Sequence, residues 1–127
     1  MADIVVVTGS RKWANRELLY ATLDGWHELA GIASIAEGCA KGADRMAEDW
    51  AKEHGILIHH YEADWALMGK AAGAVRNSVM LRSEKPDVVL AFHEDIRNSA
   101  GTGDCVHKAG KLGIKVVLTT GKENDDD

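Results

Sequence analysis

Four segments of the chain carry residue types suited to an anionic, hydroxyl-bearing ligand, and each directly follows a hydrophobic run: Gly9-Ser10-Arg11, Gly38-Cys39-Ala40-Lys41-Gly42-Ala43-Asp44, Arg76-Asn77 and Ser99 to Asp104. Glycine lets a phosphate approach the backbone, and a helix start offers unpaired amide donors at the positive end of a dipole. Gly101-Thr102-Gly103 has that chemistry, with the Thr102 hydroxyl as a further donor and Asp104 suited to a ribose hydroxyl. The same run also fits a plain glycine turn capped by Ser99 or Thr102. Arg76 beside Asn77 can hold phosphate through paired guanidinium donors, or can lie in a surface salt bridge. Arg11 is a second cation for the ligand, or a partner for acids of the helix that follows it. Gly38 and Gly42 bracket a turn that carries Lys41, and Asp44 in the next helical turn either contacts ribose or base or simply favours the helix dipole.

Two common nucleotide motifs are absent. No Gly-Lys-Ser/Thr stands at P-loop spacing, and no Gly-x-Gly-x-x-Gly follows the first apolar run. Trp13 and Trp65 each follow a strand, where a base could stack on them, although packing is the commoner fate of such residues; Trp26 and Trp50 fit helical stripes and the core. The six histidines show no ligand spacing, and the adjacent His59 and His60 should point to opposite faces of a strand, so no structural metal and no cofactor are expected.

These segments need a scaffold, and the apolar pattern supplies it. Ile4-Val7 is a short β-branched run that reads as a strand buried on both faces. Asn15 can cap a helix carrying Leu18, Leu19, Leu23, Trp26 and Leu29 up to Gly31. Ala33-Ala36 is a second strand, and Ala43, Met46, Ala47, Trp50, Ala51 and His54 form a helical stripe stopped by Gly55. Ile56-Ile58 with Tyr61 suggests a third strand, then a loose stretch with Gly69 and Gly73 leads into a helix holding Val75, Val79 and Met80. Asp87-Phe92 is a fourth strand, Gly101 opens a helix with Val106, Ala109 and Leu112, and Val116-Leu118 is a fifth. This alternation predicts a single α/β domain over residues 1–120, a Rossmann-like three-layer sandwich with a mainly parallel sheet of about five strands and right-handed crossovers. Residues 121–127 read as an acidic disordered tail.

Composition narrows the function classes. Lys and Arg number 15 against 20 Asp and Glu, with the acid excess at the C-terminal end, so no basic face for duplex nucleic acid is expected. Cys39 and Cys105 are too few for a disulfide framework, which fits a cytoplasmic setting. No basic leader precedes Ile4, and no run approaches the roughly 20 apolar residues of a membrane span.

The segments together resemble the SLOG superfamily of Rossmann-like nucleotide-binding proteins, most closely its small YspA/YpsA-related branch. The resemblance covers Ile4 to Leu118 and rests on Thr8-Gly9-Ser10-Arg11, Glu37 to Asp44 with Ala47 and Ala51, Ala63-Asp64-Trp65, Gly69 through Arg76-Asn77, and Pro86-Asp87-Val88-Val89. The superfamily also holds DprA and the LOG enzymes, which cleave nucleoside 5′-monophosphates and carry Pro-Gly-Gly-x-Gly-Thr-x-x-Glu with a distant arginine. Gly101-Thr102 and Arg76 match parts of that pattern, whereas Asn98-Ser99 stands in place of its start and Cys105 in place of its glutamate. A neutral thiol cannot stabilise an oxocarbenium-like centre as a carboxylate does. Asp104 is one residue away, about 100° round a helix.

The expectation is therefore a nucleotide or nucleotide-derived ligand at the carboxyl edge of the sheet, with a sensor as one role such binding would serve. Gly101, Thr102, Gly103 and Arg76 would hold phosphate with Asn77 and Arg11 nearby, Gly38, Gly42 and Asp44 would lie on the nucleoside side, and Gly9-Ser10-Arg11 would form the floor. The alternatives are a LOG-like phosphoribohydrolase using Arg76 and Asp104, and an adaptor domain. The resemblance also implies a homo-oligomer; no membrane partner is expected.

Overall fold

The computed structural model describes residues 2–121, so the expected acidic tail, Gly121 apart, lies outside the described residues. Five strands, β1 (Asp3–Gly9), β2 (Ile32–Glu37), β3 (Leu57–His60), β4 (Val88–Phe92) and β5 (Lys115–Thr119), pair in the order β3-β2-β1-β4-β5, and every pairing is parallel. The order reverses between β1 and β4. Helices α1 (Arg16–Leu29) and α2 (Ala43–Glu53) lie together on one face of the sheet, and α4 (Ala72–Glu84) and α5 (Gly101–Lys111) on the other, with the short α3 (Trp65–Met68) leading into α4.

The strand alternation sorts the core into these two faces. Val5, Val7, Val88, Leu90 and Phe92 pack with Leu19, Leu23, Ala47 and Trp50 on one side. Val6, Ala36 and Val89 pack with Met80, Leu81, Cys105 and Ala109 on the other. A strand covered on both faces has no polar alternation, which is why β1 and β4 read as continuous apolar runs.

Local chemistry starts and stops the helices. Asn15 Oδ1 accepts from Leu18 N at 2.9 Å and caps α1 as expected. Gly42 precedes α2 at φ 74°, and a Cβ there would stand 2.3 Å from Ser10 O, so only glycine lets this helix start sit on the turn after β1. The segment before α4 is more ordered than its glycines suggest. Asp64 Oδ1 accepts from Leu67 N at 3.0 Å to start α3, a 3-10 turn covers Gly69–Ala71, and Gly73 lies inside α4 against the Trp65 ring. Trp13 packs edge-on against Phe92 at 5.7 Å and is core rather than a free platform. Trp26 is only half-buried at the core margin, where its Nε1 donates to Asp3 Oδ2 at 3.0 Å.

Candidate functional site

In an open parallel sheet the loops leaving two neighbouring strands diverge where strand order reverses, and they leave a crevice there. The crevice of this chain lies at the carboxyl ends of β1 and β4 and has a volume of about 490 Å³, within the range of small-molecule sites, roughly 300–1,000 Å³. The turn after β1 contributes Thr8 to Lys12, the turn after β4 His93, Glu94 and Asp95, and the start of α5 Ser99 to Thr102. Arg76, Asp44, Ala40, Gly73 and Trp65 close it from the β2, α3 and α4 side. A second hollow of about 380 Å³ adjoins it, shares Arg11, Ala40, Trp65 and Arg76, and is lined further by Gly38, Cys39 and Glu62.

Arg76 is held at the junction of the two hollows. Its Nε donates to Asn77 Oδ1 at 2.8 Å, and its Nη1 donates to Gly38 O at 2.7 Å and Tyr61 O at 3.3 Å. All three acceptors are neutral. No carboxylate forms a salt bridge with Arg76 among the described residues, and Nη2 makes no hydrogen bond there. A half-buried guanidinium without a counter-ion is costly by itself and favours an incoming anion. Gly38 makes this placement possible, because a Cβ at that position would stand 1.9 Å from Arg76 Nη1.

Arg11 and Lys12 add two exposed cations on the β1 side. The Arg11 guanidinium lies 5.5 Å from the Trp65 ring centroid, and Trp65 is 48% exposed, so this indole keeps free surface at the mouth. Ser10 serves its own turn, with its Oγ accepting from Lys12 N at 2.9 Å.

Asp44 is 5% exposed. Its Oδ2 accepts from Gly38 N at 3.1 Å and Ala40 N at 3.4 Å, which folds the turn after β2 back onto α2. Its Oδ1 is buried without a hydrogen-bond partner among the described residues. Burial, and then the nearby Glu37 carboxylate, push the Asp44 carboxyl from 3.8 up to about 7, against the opposing pull of Ala40 N–H, Arg76 and Gly38 N–H. Glu37 is also pushed up by burial.

The start of α5 is already partly satisfied. Ser99 Oγ accepts from Thr102 N at 3.0 Å and Gly103 N at 3.2 Å, the capped turn that the sequence also allowed. Gly101 and Thr102 still line the crevice, whereas Gly103 does not. Asn77 is buried and points to α5, where its Nδ2 donates to Gly101 O at 3.1 Å and to Asp104 Oδ2 at 3.0 Å. Lys108 Nζ stands 3.0 Å from the same Asp104 oxygen. Asn77 and Asp104 thus tie α4 to α5 and are not on the crevice wall.

Cys105 faces the core, fully buried, and burial pushes its thiol up to about 12. Cys39 is exposed beside the second hollow, yet burial of its sulfur and the carboxylates around it push its thiol up to about 11. Neither is poised as a nucleophile.

The structure therefore gathers Gly9, Ser10, Arg11, Asp44, Arg76, Gly101 and Thr102 round one crevice, puts Gly38 on the adjoining hollow, and leaves Gly42, Asn77, Gly103 and Asp104 as supports behind it. Sequence reasoning missed Lys12 and His93 to Asp95. The signal for the latter was available, since they immediately follow the fourth strand.

Comparison with known proteins gives a family and a relative. A profile of the YspA, cpYpsA-related SLOG family matches residues 3–67. The chain is also similar to the Gene 61 protein of Mycobacterium phage D29, at 37% identity over 119 residues, covering 89% of this chain and 93% of the phage protein.

Proposed function

We propose that this chain, which belongs to the YspA, cpYpsA-related SLOG family, binds a nucleotide or nucleotide-derived ligand in the crevice between the ends of β1 and β4. The observation that carries this reading is Arg76: a half-buried cation, fixed by neutral acceptors, on the wall of a crevice at the reversal of strand order. A phosphate supplies the salt-bridge partner that the guanidinium lacks and accepts from its free Nη2. Arg11 and Lys12 extend the positive side, and the Gly101-Thr102 helix start adds a dipole of the same sign. Glu94 and Asp95 on the β4 side suit hydroxyl groups, and Trp65 offers a face for a base. Calorimetric titration of mono-, di- and cyclic nucleotides tests the reading. Binding that is lost on Arg76→Ala supports it, and no binding across the panel rejects it.

One observation favours a hydrolytic second reading. Asp44 belongs to the crevice lining, has a buried carboxyl oxygen without a partner among the described residues and is pushed up to about 7, the range an acid–base catalyst of N-glycosidic cleavage needs. The protonated form would pass its proton to the leaving base as the C1′–N bond breaks, and the carboxylate left behind would take a proton from the water that forms the C1′–OH bond. Release of free base from AMP, GMP or CMP, abolished by Asp44→Asn, supports this. Release that survives Asp44→Asn but not Asp104→Asn would instead assign the acid to Asp104, and intact nucleotide after long incubation rejects turnover.

A further inference from the structure

We propose that Glu37, Cys39 and His60 form a binding site for a zinc-class divalent cation, beside the crevice and independent of the nucleotide. The three residues come from separate places in the chain: the end of β2, the turn that follows it, and the end of β3. Parallel pairing sets Glu37 directly across from His60. Cys39, two residues beyond Glu37 at φ 64°, turns back over the strand ends. One donor atom from each residue lies within 4.8 Å of the others. His60 Nδ1 stands 2.6 Å from Glu37 Oε2 and 3.6 Å from Cys39 Sγ.

The carboxylate of Glu37 is the buried anchor of the cluster. Glu37 is 0% exposed, and its Oε1 accepts from Cys39 N at 2.5 Å. Its Oε2 is buried and meets His60 Nδ1 in an ion-pair contact. A cation entering between them would take the place of the imidazole proton, with the nitrogen and the oxygen as two of its ligands. A buried carboxylate needs positive charge beside it, which a protonated imidazole or a bound cation can supply.

The donor set indicates which cation. Thiolate, imidazole and carboxylate together match borderline-soft zinc, whereas magnesium and calcium take oxygen ligands. Cys39 is exposed and His60 is half-exposed on its side chain, so three protein ligands would leave an open position towards solvent. Such a site is of the open kind rather than the closed four-ligand kind.

The test uses the full, tag-free chain without nucleotide. Equilibrium dialysis against Zn²⁺ followed by metal analysis should give one ion per chain, and titration with Co²⁺ should develop the thiolate-to-cobalt charge-transfer absorption. Loss of an outer partner of a metal ligand typically costs about 10–100-fold in affinity, so loss of a ligand should cost at least about tenfold. Cys39→Ser should therefore abolish the cobalt band and weaken zinc by that factor. His60→Gln should weaken zinc equally, and His107→Gln, exposed on α5, should leave binding unchanged. Bound cobalt without the thiolate band in the unmodified protein, zinc binding indifferent to both ligand variants, or no retained zinc would each overturn the site. Nucleotide binding can fail without affecting any of these readings.

Discussion

Replacing Asp44 by Asn gives the most quantitative test of how the site is built. Asn is close in shape to the protonated acid, and its oxygen can still accept from Gly38 N and Ala40 N. The native carboxyl titrates at about 7 when folded against 3.8 ordinarily. The folded state thus holds this proton more tightly than the unfolded chain does. The associated stability is fully present below pH 3.8 and is lost as pH rises through about 7. A separation of about 3 pH units at about 1.4 kcal/mol each corresponds to about 4 kcal/mol. The group is almost fully buried, so solvent screening takes little from that figure. Urea denaturation of both proteins from pH 4 to pH 8 reads the effect, in chelator so that no cation neutralises Glu37. The stability of Asp44→Asn relative to the native chain should start near zero and grow by up to about 4 kcal/mol towards pH 8. Parallel profiles, or a difference that shrinks with rising pH, would refute the burial and electrostatics assigned to this carboxyl.

Three other substitutions probe separate parts of the site. Gly38→Ala places a methyl group 1.9 Å from Arg76 Nη1, so the guanidinium must move; nucleotide affinity should fall by more than about tenfold, the loss of one charge-assisted hydrogen bond, while circular dichroism stays native. Trp65→Ala should weaken binding by about 1–3 kcal/mol if a base stacks there, measured by the same titration, and leave it unchanged for ribose 5-phosphate. Asn77→Ala removes the bridge between α4 and α5 and leaves Arg76 Nε without its acceptor, so urea denaturation should show a loss of about 1–3 kcal/mol.

The architecture was legible because strands buried on both faces and helices with one apolar stripe leave different periodicities. Ile4–Val7 and Val88–Phe92 could not be mistaken for amphipathic strands, and Asn15 marked a helix start that the structure keeps. The site was legible only to the level of segments. Arg76 and Asn77 are neighbours in sequence, yet a step of about 100° round α4 sends one to the crevice and the other to α5. The same step separates Asp104, which serves Lys108 and Asn77, from the buried Cys105. Asp44 gave no sign of its burial, because that depends on the turn after β2 folding back to donate two amides. The Glu37–His60 approach was equally hidden, since it follows from the register of β2 on β3 and not from any spacing along the chain.

The central claim is that Arg76 awaits the phosphate of a nucleotide in the crevice. Isothermal titration of the nucleotide panel into the native chain and into Arg76→Ala, both in chelator and both checked for native circular dichroism, tests it most directly. The account predicts that at least one nucleotide binds at one per chain, and that Arg76→Ala weakens it by more than about tenfold. Binding of equal strength to both proteins, or no heat from any nucleotide with the native chain, would contradict it.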